Sequence, residues 1–152
     1  MGDEVRFVAD CMLGTLAKWL RILGYDTAYD SGLDDVQVAR QARAEGRVLL
    51  SRDTALVRRK GLQSLLVESE VLEEQIAQIL KAWRLTAGQP FSRCPGCNSL
   101  LEEVSRSDAW GQVPPFVSAT QKRFSLCPEC NRFYWRGTHW TRMMERIHAL
   151  RG

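Results

Sequence analysis

Two short apolar runs in this sequence end on an aspartate. The run "VRFVAD" ends on Asp10, and the run "RVLLSRD" ends on Asp53. Such runs predict buried strands, and ligands bind outside the carboxyl ends of the strands in open parallel sheets. If both strands lie near each other, the two carboxylates reach one edge of the sheet, where they repel each other unless a cation joins them. The pattern therefore predicts an oxygen-rich site in which Asp10 and Asp53 bind Mg²⁺ or Mn²⁺.

A further pair of acids, Asp34 and Asp35, stands at the start of a helix predicted over residues 36–46. Either residue can bring a third carboxylate to the same edge. A helix N-cap is the alternative role, since aspartate is a preferred cap, and it applies to Asp34, Asp10 and Asp53 alike. Metal ions held by such acids activate water and neutralise charge that builds on a phosphate during in-line displacement.

Basic residues near these acids fit a phosphodiester substrate. Lys18 and Arg21 are three positions apart and therefore share one face of the predicted first helix. Arg52 adjoins Asp53, and "RRK" follows at 58–60. Lys18, Arg21 and Arg52 are the predicted substrate-binding residues, with an ordinary solvated helix face as the alternative.

Four of the five cysteines form two Cys-x-x-Cys pairs with 29 residues between them, Cys94 with Cys97 and Cys127 with Cys130. Four thiolates close a tetrahedral zinc shell, and a closed shell is structural. Asn98 and Asn131 follow the pairs, where such a turn often needs a left-handed residue, which asparagine tolerates. The fifth cysteine, Cys11, has no paired cysteine and no nearby histidine, and is predicted to be a small buried residue at a helix start.

Strand and helix patterns alternate through the first half of the chain. Gly24 and Gly46 supply helix stops, and the alternation predicts a parallel sheet with helices packed on its faces. The predicted strands are 5–10, 25–29, 47–51 and 64–68, and the predicted helices are 11–24, 36–46, 55–60 and 71–85.

The second half has a different composition. A linker is predicted at "TAGQPFS" (86–92), followed by the cysteine pairs, scattered β-formers and a short helix near 141–150. Residues 1–90 carry a net charge of −1, whereas residues 91–152 carry +4. We predict two domains, 1–88 and 89–152, and the basic second domain suggests a polyanionic partner.

Several classes of protein are not indicated. The only histidines are His139 and His148, so Ser-His-Asp and Cys-His catalysis have little support. There is no phosphate-binding glycine motif, and no apolar run approaches the roughly 20 residues that span a bilayer. The acidic start of the chain, with Asp3 and Glu4, is unlike a signal peptide. A cytoplasmic location without membrane contact is the expectation, and it favours metal binding over disulfides.

The ordered combination of "RFVADCMLGTLAKWLRILGYDTAYD", "DDVQVARQARAEGRVLLSRD", the cysteine pairs and "RFYWRGTHW" resembles the PIN-like ribonuclease domain family often called Mut-seven-C. The similarity covers nearly the whole chain. It implies an α/β, PIN-like three-layer domain with a mainly parallel sheet, followed by a small β-rich zinc ribbon. It also implies cleavage of phosphodiesters, commonly in RNA, by clustered acids and a divalent metal.

Position by position, the resemblance implies three catalytic acids: Asp10 after the first strand, Asp34 or Asp35 at the second helix, and Asp53 after the later strand. It implies structural zinc at the four paired cysteines. Family members often carry a fourth acid just after the third one, but "RDTALVRRK" offers none, and Asp30 is the candidate substitute.

The sequence thus predicts a metal-dependent ribonuclease with zinc and Mg²⁺ or Mn²⁺ as cofactors and RNA as partner. Aromatic and basic residues of the ribbon add stacking and phosphate contacts or form its small core. The alternative is a non-catalytic RNA- or ribosome-binding module with a degenerate site, and a toxin-like or protein-interaction domain is a third reading. RNA versus DNA, the mode of cutting and the oligomeric state stay open.

Overall fold

The computed structural model describes residues 5–85 and 90–151 of the chain. The first half alternates strands and helices, as predicted. Its elements are β1 (Phe7–Ala9), α1 (Gly14–Ile22), β2 (Thr27–Ala28), α2 (Asp35–Glu45), β3 (Val48–Ser51), α3 (Thr54–Val57), β4 (Gln63–Leu66) and α4 (Leu72–Ala82).

All four strands of the first half pair in parallel, in the order β2-β1-β3-β4. Strand β3 is central and fully buried, which explains its unbroken apolar run, because parallel sheets are covered on both faces. Strands β1 and β3 are direct neighbours, with Ala9 opposite Leu50. The predicted proximity of the two acid-ending strands is therefore confirmed.

Helices cover both faces of this sheet and form three layers. Phe7, Ala9, Val48 and Leu50 point to one face, where they pack against α1 and α4. Val8 and Leu49 point to the other face, where they pack against α2 and Leu56 of α3. Because the two-residue side-chain period sends neighbours to opposite faces, each strand supplies both cores. Truncating a fully buried leucine such as Leu49 to alanine is expected to cost about 2–5 kcal/mol.

The second half contains a small antiparallel sheet, in the order β5-β6-β7. Its elements are β5 (Glu102–Val104), α5 (Arg106–Ala109), α6 (Pro115–Thr120), β6 (Phe124–Cys127), β7 (Arg132–Tyr134) and α7 (Thr138–Arg151). Met143 and Ile147 of α7 are buried in the same apolar cluster as α1 and α4. The C-terminal helix therefore packs on the parallel-sheet core although it follows the ribbon in sequence.

The start of the first helix differs from the sequence prediction. Helix α1 begins at Gly14, three residues later than predicted, because residues 10–13 form a turn in which the Leu13 amide donates to the Asp10 carbonyl. The predicted domain boundary at 88/89 and most of the predicted linker lie outside the described residues, so the domain division stays a prediction. Asp3 and Glu4 also lie outside the described residues. Within the described ranges, no helix is long and apolar enough to cross a membrane.

Candidate functional site

A cleft of about 410 Å³ opens at the carboxyl edge of the parallel sheet. Asp10 follows β1 and Asp53 follows β3, and both line the cleft together with Asp35. The parallel pairing of β1 with β3 brings the first two acids to one edge. The three acids proposed from the sequence thus share one surface, although their catalytic role remains a proposal.

Asp10 is buried, with 7% of its surface exposed. Its Oδ1 accepts a hydrogen bond from the Met12 amide at 2.9 Å, and its Oδ2 accepts one from the Ser51 hydroxyl. The N-cap of α1 is Leu13, which makes no side-chain cap bond. Asp10 therefore does not cap the helix that follows it. Its carboxylate is oriented by the Met12 amide in the turn after β1 and by the Ser51 hydroxyl at the end of β3.

Ser51 is a residue that sequence reasoning missed. It is fully buried at the end of β3, donates to Asp10 and accepts a hydrogen bond from the Asp53 amide at 3.0 Å. One hydroxyl thus connects the side chain of one acid with the backbone of the other. A buried polar residue ending an apolar run, two positions before an aspartate, was the available signal.

Asp53 has two roles in the geometry. Its Oδ1 caps α3 by accepting hydrogen bonds from the amides of Ala55 (2.8 Å) and Leu56 (3.3 Å). Within the described part of the chain, Oδ2 has no hydrogen-bond partner. Asp53 can therefore cap α3 through Oδ1 and offer Oδ2 to the cleft, because each role uses a different oxygen.

The structure separates the pair at the start of α2. Asp34 is the N-cap, and it forms a capping box with Gln37 (Gln37 amide to Oδ1, 2.8 Å). Asp35 occupies the first helical position, is exposed and lines the cleft. The catalytic role predicted for Asp34 is therefore not supported by its position, and Asp35 is the cleft acid of the pair.

A fourth acid, Glu70, also lines the cleft. It follows β4, the strand beside β3, so it repeats the pattern of an acid after a strand, and its side chain is 85% exposed. The segment just after Asp53 contains no acid, and the fourth acid predicted from the sequence was Asp30. Asp30 lies elsewhere, in a groove beside α2, where its Oδ1 accepts the Gly32 amide at 2.9 Å.

The predicted substrate-binding residues are divided between different places. Arg52 lines the cleft and forms a long ion pair with Glu70 at 3.8 Å. Lys18 is exposed on α1 and is not part of the cleft lining. Arg21 is buried, and its guanidinium donates to the carbonyls of Thr27 (2.8 Å) and Pro95 (2.9 Å). Arg21 therefore holds the ribbon against the sheet, and its position does not support contact with substrate in the cleft.

The prediction for Cys11 is wrong. Because α1 begins later than expected, Cys11 lies in the preceding turn, where it is exposed and lines the cleft beside Asp10. Its carbonyl accepts a hydrogen bond from the Tyr29 hydroxyl at 2.8 Å.

The donors of the cleft are mainly carboxylate oxygens, together with the polar side chain of Gln75 and the thiol of Cys11. Oxygen donors of this kind fit Mg²⁺ or Mn²⁺ and do not favour softer metals. Among residues 5–85 and 90–151, only the four paired cysteines are already close enough together to hold an ion. The exposed side chains of Asp35 and Glu70 would have to turn towards Asp10 and the Oδ2 of Asp53 to complete an oxygen shell.

The paired cysteines form a second cluster, at the base of the ribbon. Their ligand atoms lie within 4.8 Å of one another, with Sγ–Sγ distances of 3.9 Å between Cys94 and Cys130 and 3.6 Å between Cys97 and Cys127. A tetrahedral zinc ion with Zn–S bonds of about 2.3 Å requires sulfur atoms about 3.8 Å apart. The four cysteines can therefore hold a zinc ion, and the fold around them is consistent with a zinc ribbon.

The turns that follow each pair have the predicted backbone. Asn98 and Asn131 adopt left-handed φ angles of 72° and 57°. This conformation is the reason for asparagine at both positions, because few other residues with a side chain adopt it at low cost.

Ionisation of the thiols in this cluster is interdependent. Hydrogen bonding by Ser99 lowers the pKa of Cys97 to about 6. The hydrogen bond with Cys97 raises the pKa of Cys130 to about 12, and burial raises the pKa of Cys127. One thiolate therefore disfavours ionisation of its neighbours, and a bound divalent cation would allow all four to ionise.

The ribbon is tied to the sheet through Asn98. Its Nδ2 donates to Asp26 Oδ1 at 2.7 Å, and its Oδ1 accepts from the Thr27 amide at 3.0 Å. Asp26 also pairs with Arg47 at 2.8 Å. Burial favours a higher pKa for Asp26, but hydrogen bonds from Asn98 and Arg47 outweigh it and hold the pKa below its ordinary value. The first cysteine turn is thereby fixed to the edge strand β2.

An α/β sheet with four acids lining a cleft at its carboxyl edge, followed by a four-cysteine ribbon, is consistent with a protein of nuclease-like class. The chain belongs to the Mut7-C RNAse domain family, whose model matches residues 5–147. This match confirms the resemblance drawn from the sequence, over nearly the whole chain. No curated protein and no solved structure matches it.

Proposed function

We propose that this chain is a metal-dependent ribonuclease that hydrolyses RNA phosphodiester bonds in the acid cleft. One observation carries the proposal: Asp10 and Asp53 follow adjacent parallel strands, and a single buried hydroxyl hydrogen-bonds to both residues. Asp35 and Glu70 line the same cleft. Membership of a family of ribonuclease domains supports RNA as the substrate.

Each acid contributes in its own way. Asp10 is the fixed ligand, because both of its oxygens are already oriented by hydrogen bonds and each retains a lone pair for a cation. Asp53 offers Oδ2 while Oδ1 stays in the helix cap. Asp35 and Glu70 are exposed and complete the donor set from opposite sides of the sheet edge. A Mg²⁺ or Mn²⁺ ion held here supplies an activated water and neutralises charge on the phosphate.

Arg52 is the proposed phosphate contact in the cleft. Its ion pair with Glu70 is long and exposed, so exchange for a phosphate costs little. Lys18, exposed on α1 outside the cleft lining, is the proposed distant contact of the RNA backbone. Arg21 is left out, because its guanidinium is buried between the sheet and the ribbon.

We further propose structural zinc at Cys94, Cys97, Cys127 and Cys130. The sulfur separations fit a tetrahedral shell. A closed shell of four thiolates leaves no position for substrate, so its contribution is to the fold of the ribbon and, through Asn98, to the attachment of the ribbon to β2.

The second candidate function is a non-catalytic RNA-binding module. It is favoured by the observation that, in the described residues, only the cysteines are already close enough to hold an ion. This candidate predicts RNA binding that does not depend on Mg²⁺ or Mn²⁺, with no cleavage when either ion is added.

Cleavage of labelled single-stranded RNA by Asp10→Asn and Asp53→Asn variants tests the proposal. We expect rates to fall at least about 100-fold with Mn²⁺ present, since a metal-held water contributes several kcal/mol. Asp34→Asn is the matched control: it makes the same charge change next to Asp35, and asparagine caps a helix as well as aspartate. Equal rates in all four proteins would refute the catalytic assignment, and no metal-dependent cleavage by the wild type would favour the binding module.

A further inference from the structure

The antiparallel sheet of the ribbon has one covered face and one open face. On the covered face, Phe124, Phe133 and Trp135 pack with Ala109 and other apolar residues of the α5–α6 segment. On the open face, Glu103, Ser125 and Tyr134 lie opposite one another across the three strands. These three residues line a groove of about 580 Å³ that runs between the sheet and residues 90–92.

The groove is cationic. Lys122, Arg123 and Arg136 line it, and all three are exposed. Among the described residues of the lining, Glu103 is the one acid. The remaining lining is polar or aromatic, apart from Pro90 and Leu101. A surface with three cations and one acid is complementary to a chain of phosphates and not to an acidic metal-binding site.

Aromatic rings stand beside these cations. The rings of Phe91 and Tyr134 are in the lining, and the guanidinium of Arg136 lies 5.7 Å from the ring centre of Phe91 and 5.8 Å from that of Trp140. The Tyr134 hydroxyl is 3.3 Å from Cys94 Sγ, which fixes the ring relative to the cysteine cluster. The stacking surfaces are thus oriented before any ligand arrives, which lowers the entropic cost of binding.

We infer that this open-face groove binds single-stranded RNA. A sheet face that combines fixed aromatic and guanidinium planes with cations is suited to unstacked bases and their phosphates. Its volume falls in the range of about 300–1,000 Å³ for pockets that enclose small ligands, which admits a few unpaired nucleotides and not a duplex. The inference rests on the proposed function and deepens it by giving the RNA a second contact surface.

This groove shares no lining residue with the acid cleft. Its contacts are therefore expected to act on substrate binding and not on the chemical step. Loss of groove cations should raise KM with little change in kcat, which is the signature of binding that is equal in ground and transition states.

The test uses the zinc-loaded full chain, a fluorescein-labelled 15-nucleotide oligouridylate and no added Mg²⁺ or Mn²⁺. The double variant Lys122→Gln/Arg123→Gln removes two exposed groove cations. The matched control Lys81→Gln/Arg84→Gln makes the same charge change at two exposed residues around the end of α4 that do not line the groove.

We expect the groove variant to raise Kd about 10-fold near 0.1 M salt. Losing two phosphate contacts should also reduce the slope of log K against log salt by about 1.4, at about 0.7 per contact for a single strand. The control should stay within about twofold of wild type. Equal losses in both variants, or wild-type affinity in the groove variant, would overturn the inference. A duplex RNA of the same length that binds as tightly would overturn the assignment to single strands.

The same proteins separate this inference from the proposed function. If Mn²⁺ supports RNA cleavage and the groove variant keeps the wild-type KM, the groove assignment is wrong while the ribonuclease stands. If no protein cleaves RNA but the groove variant alone loses RNA affinity, the groove assignment stands and the ribonuclease does not.

Discussion

Replacing Ser51 with alanine removes the one hydroxyl that connects Asp10 with Asp53. The donated bond ends on a carboxylate, which is worth about 1.5–3 kcal/mol, and the accepted bond from the Asp53 amide is worth about 0.5–1.5 kcal/mol. Both are made by a fully buried side chain. We therefore expect the free energy of unfolding to fall by about 2–4 kcal/mol, which corresponds to a decrease in Tm of about 5–15 °C for a chain of this size.

Metal binding should weaken in the same variant. Asp10 would keep only the hydrogen bond from the Met12 amide at 2.9 Å, so its carboxylate would be less well oriented towards the cleft. Loss of a partner that orients a metal ligand typically costs 10–100-fold in metal affinity. Titration of free Mn²⁺ followed by electron paramagnetic resonance measures this affinity without any need for RNA cleavage.

Ser64→Ala provides the matched control. Ser64 lies on the neighbouring strand β4, and its hydroxyl donates to the Val57 carbonyl at 2.6 Å, away from the cleft lining. It should lose about 1 kcal/mol of stability and keep the wild-type Mn²⁺ affinity. If Ser51→Ala binds Mn²⁺ as tightly as Ser64→Ala, then Ser51 does not orient the acids.

Three further outcomes are expected. The pKa of Asp26 is lowered in the folded state, so its contribution to stability is complete above the unfolded pKa of about 3.9 and is lost as the pH falls through the lower folded pKa. The urea midpoint of Asp26→Asn should therefore decline less than that of wild type below about pH 4. Parallel plots of urea midpoint against pH for the two proteins would contradict this role. Metal analysis should find about one zinc per chain. Before chelation, Cys11 should be the fast-reacting thiol, and a chelator should make the four paired cysteines reactive as well. Five reactive thiols before chelation would remove the zinc assignment. Glu70→Gln should raise the Mn²⁺ concentration needed for half-maximal RNA cleavage, and an unchanged requirement would remove Glu70 from the ligand set.

The elements of the parallel sheet could be predicted because each carries its own local signal. The apolar runs ending on Asp10 and Asp53, and the glycine stops at Gly24 and Gly46, depend on burial and on backbone conformation near each residue. The cysteine spacing and the left-handed Asn98 and its counterpart Asn131 are local in the same way, since a tight turn fixes its own φ angles.

Assignments that depend on distant parts of the chain could not be made from the sequence. The spacing of Arg21 and Lys18 predicts that both lie on one exposed face of α1. The ribbon nevertheless covers Arg21, because the Pro95 carbonyl, 74 residues away in the sequence, accepts its hydrogen bond. Glu70 joins the cleft only because β4 pairs beside β3. Cys11 is exposed because the chain makes a turn before α1, where the helical pattern predicted a buried position.

The sequence by itself determined the family, the alternation that builds the sheet, and the two kinds of metal-binding side chain, because these follow from local pattern and residue chemistry. Tertiary structure decided which of Asp34 and Asp35 faces the cleft, that Ser51 connects Asp10 with Asp53, and that one ribbon face stays open. The physical reason is that hydrogen bonds and burial between elements depend on strand order and helix packing, which no single segment encodes.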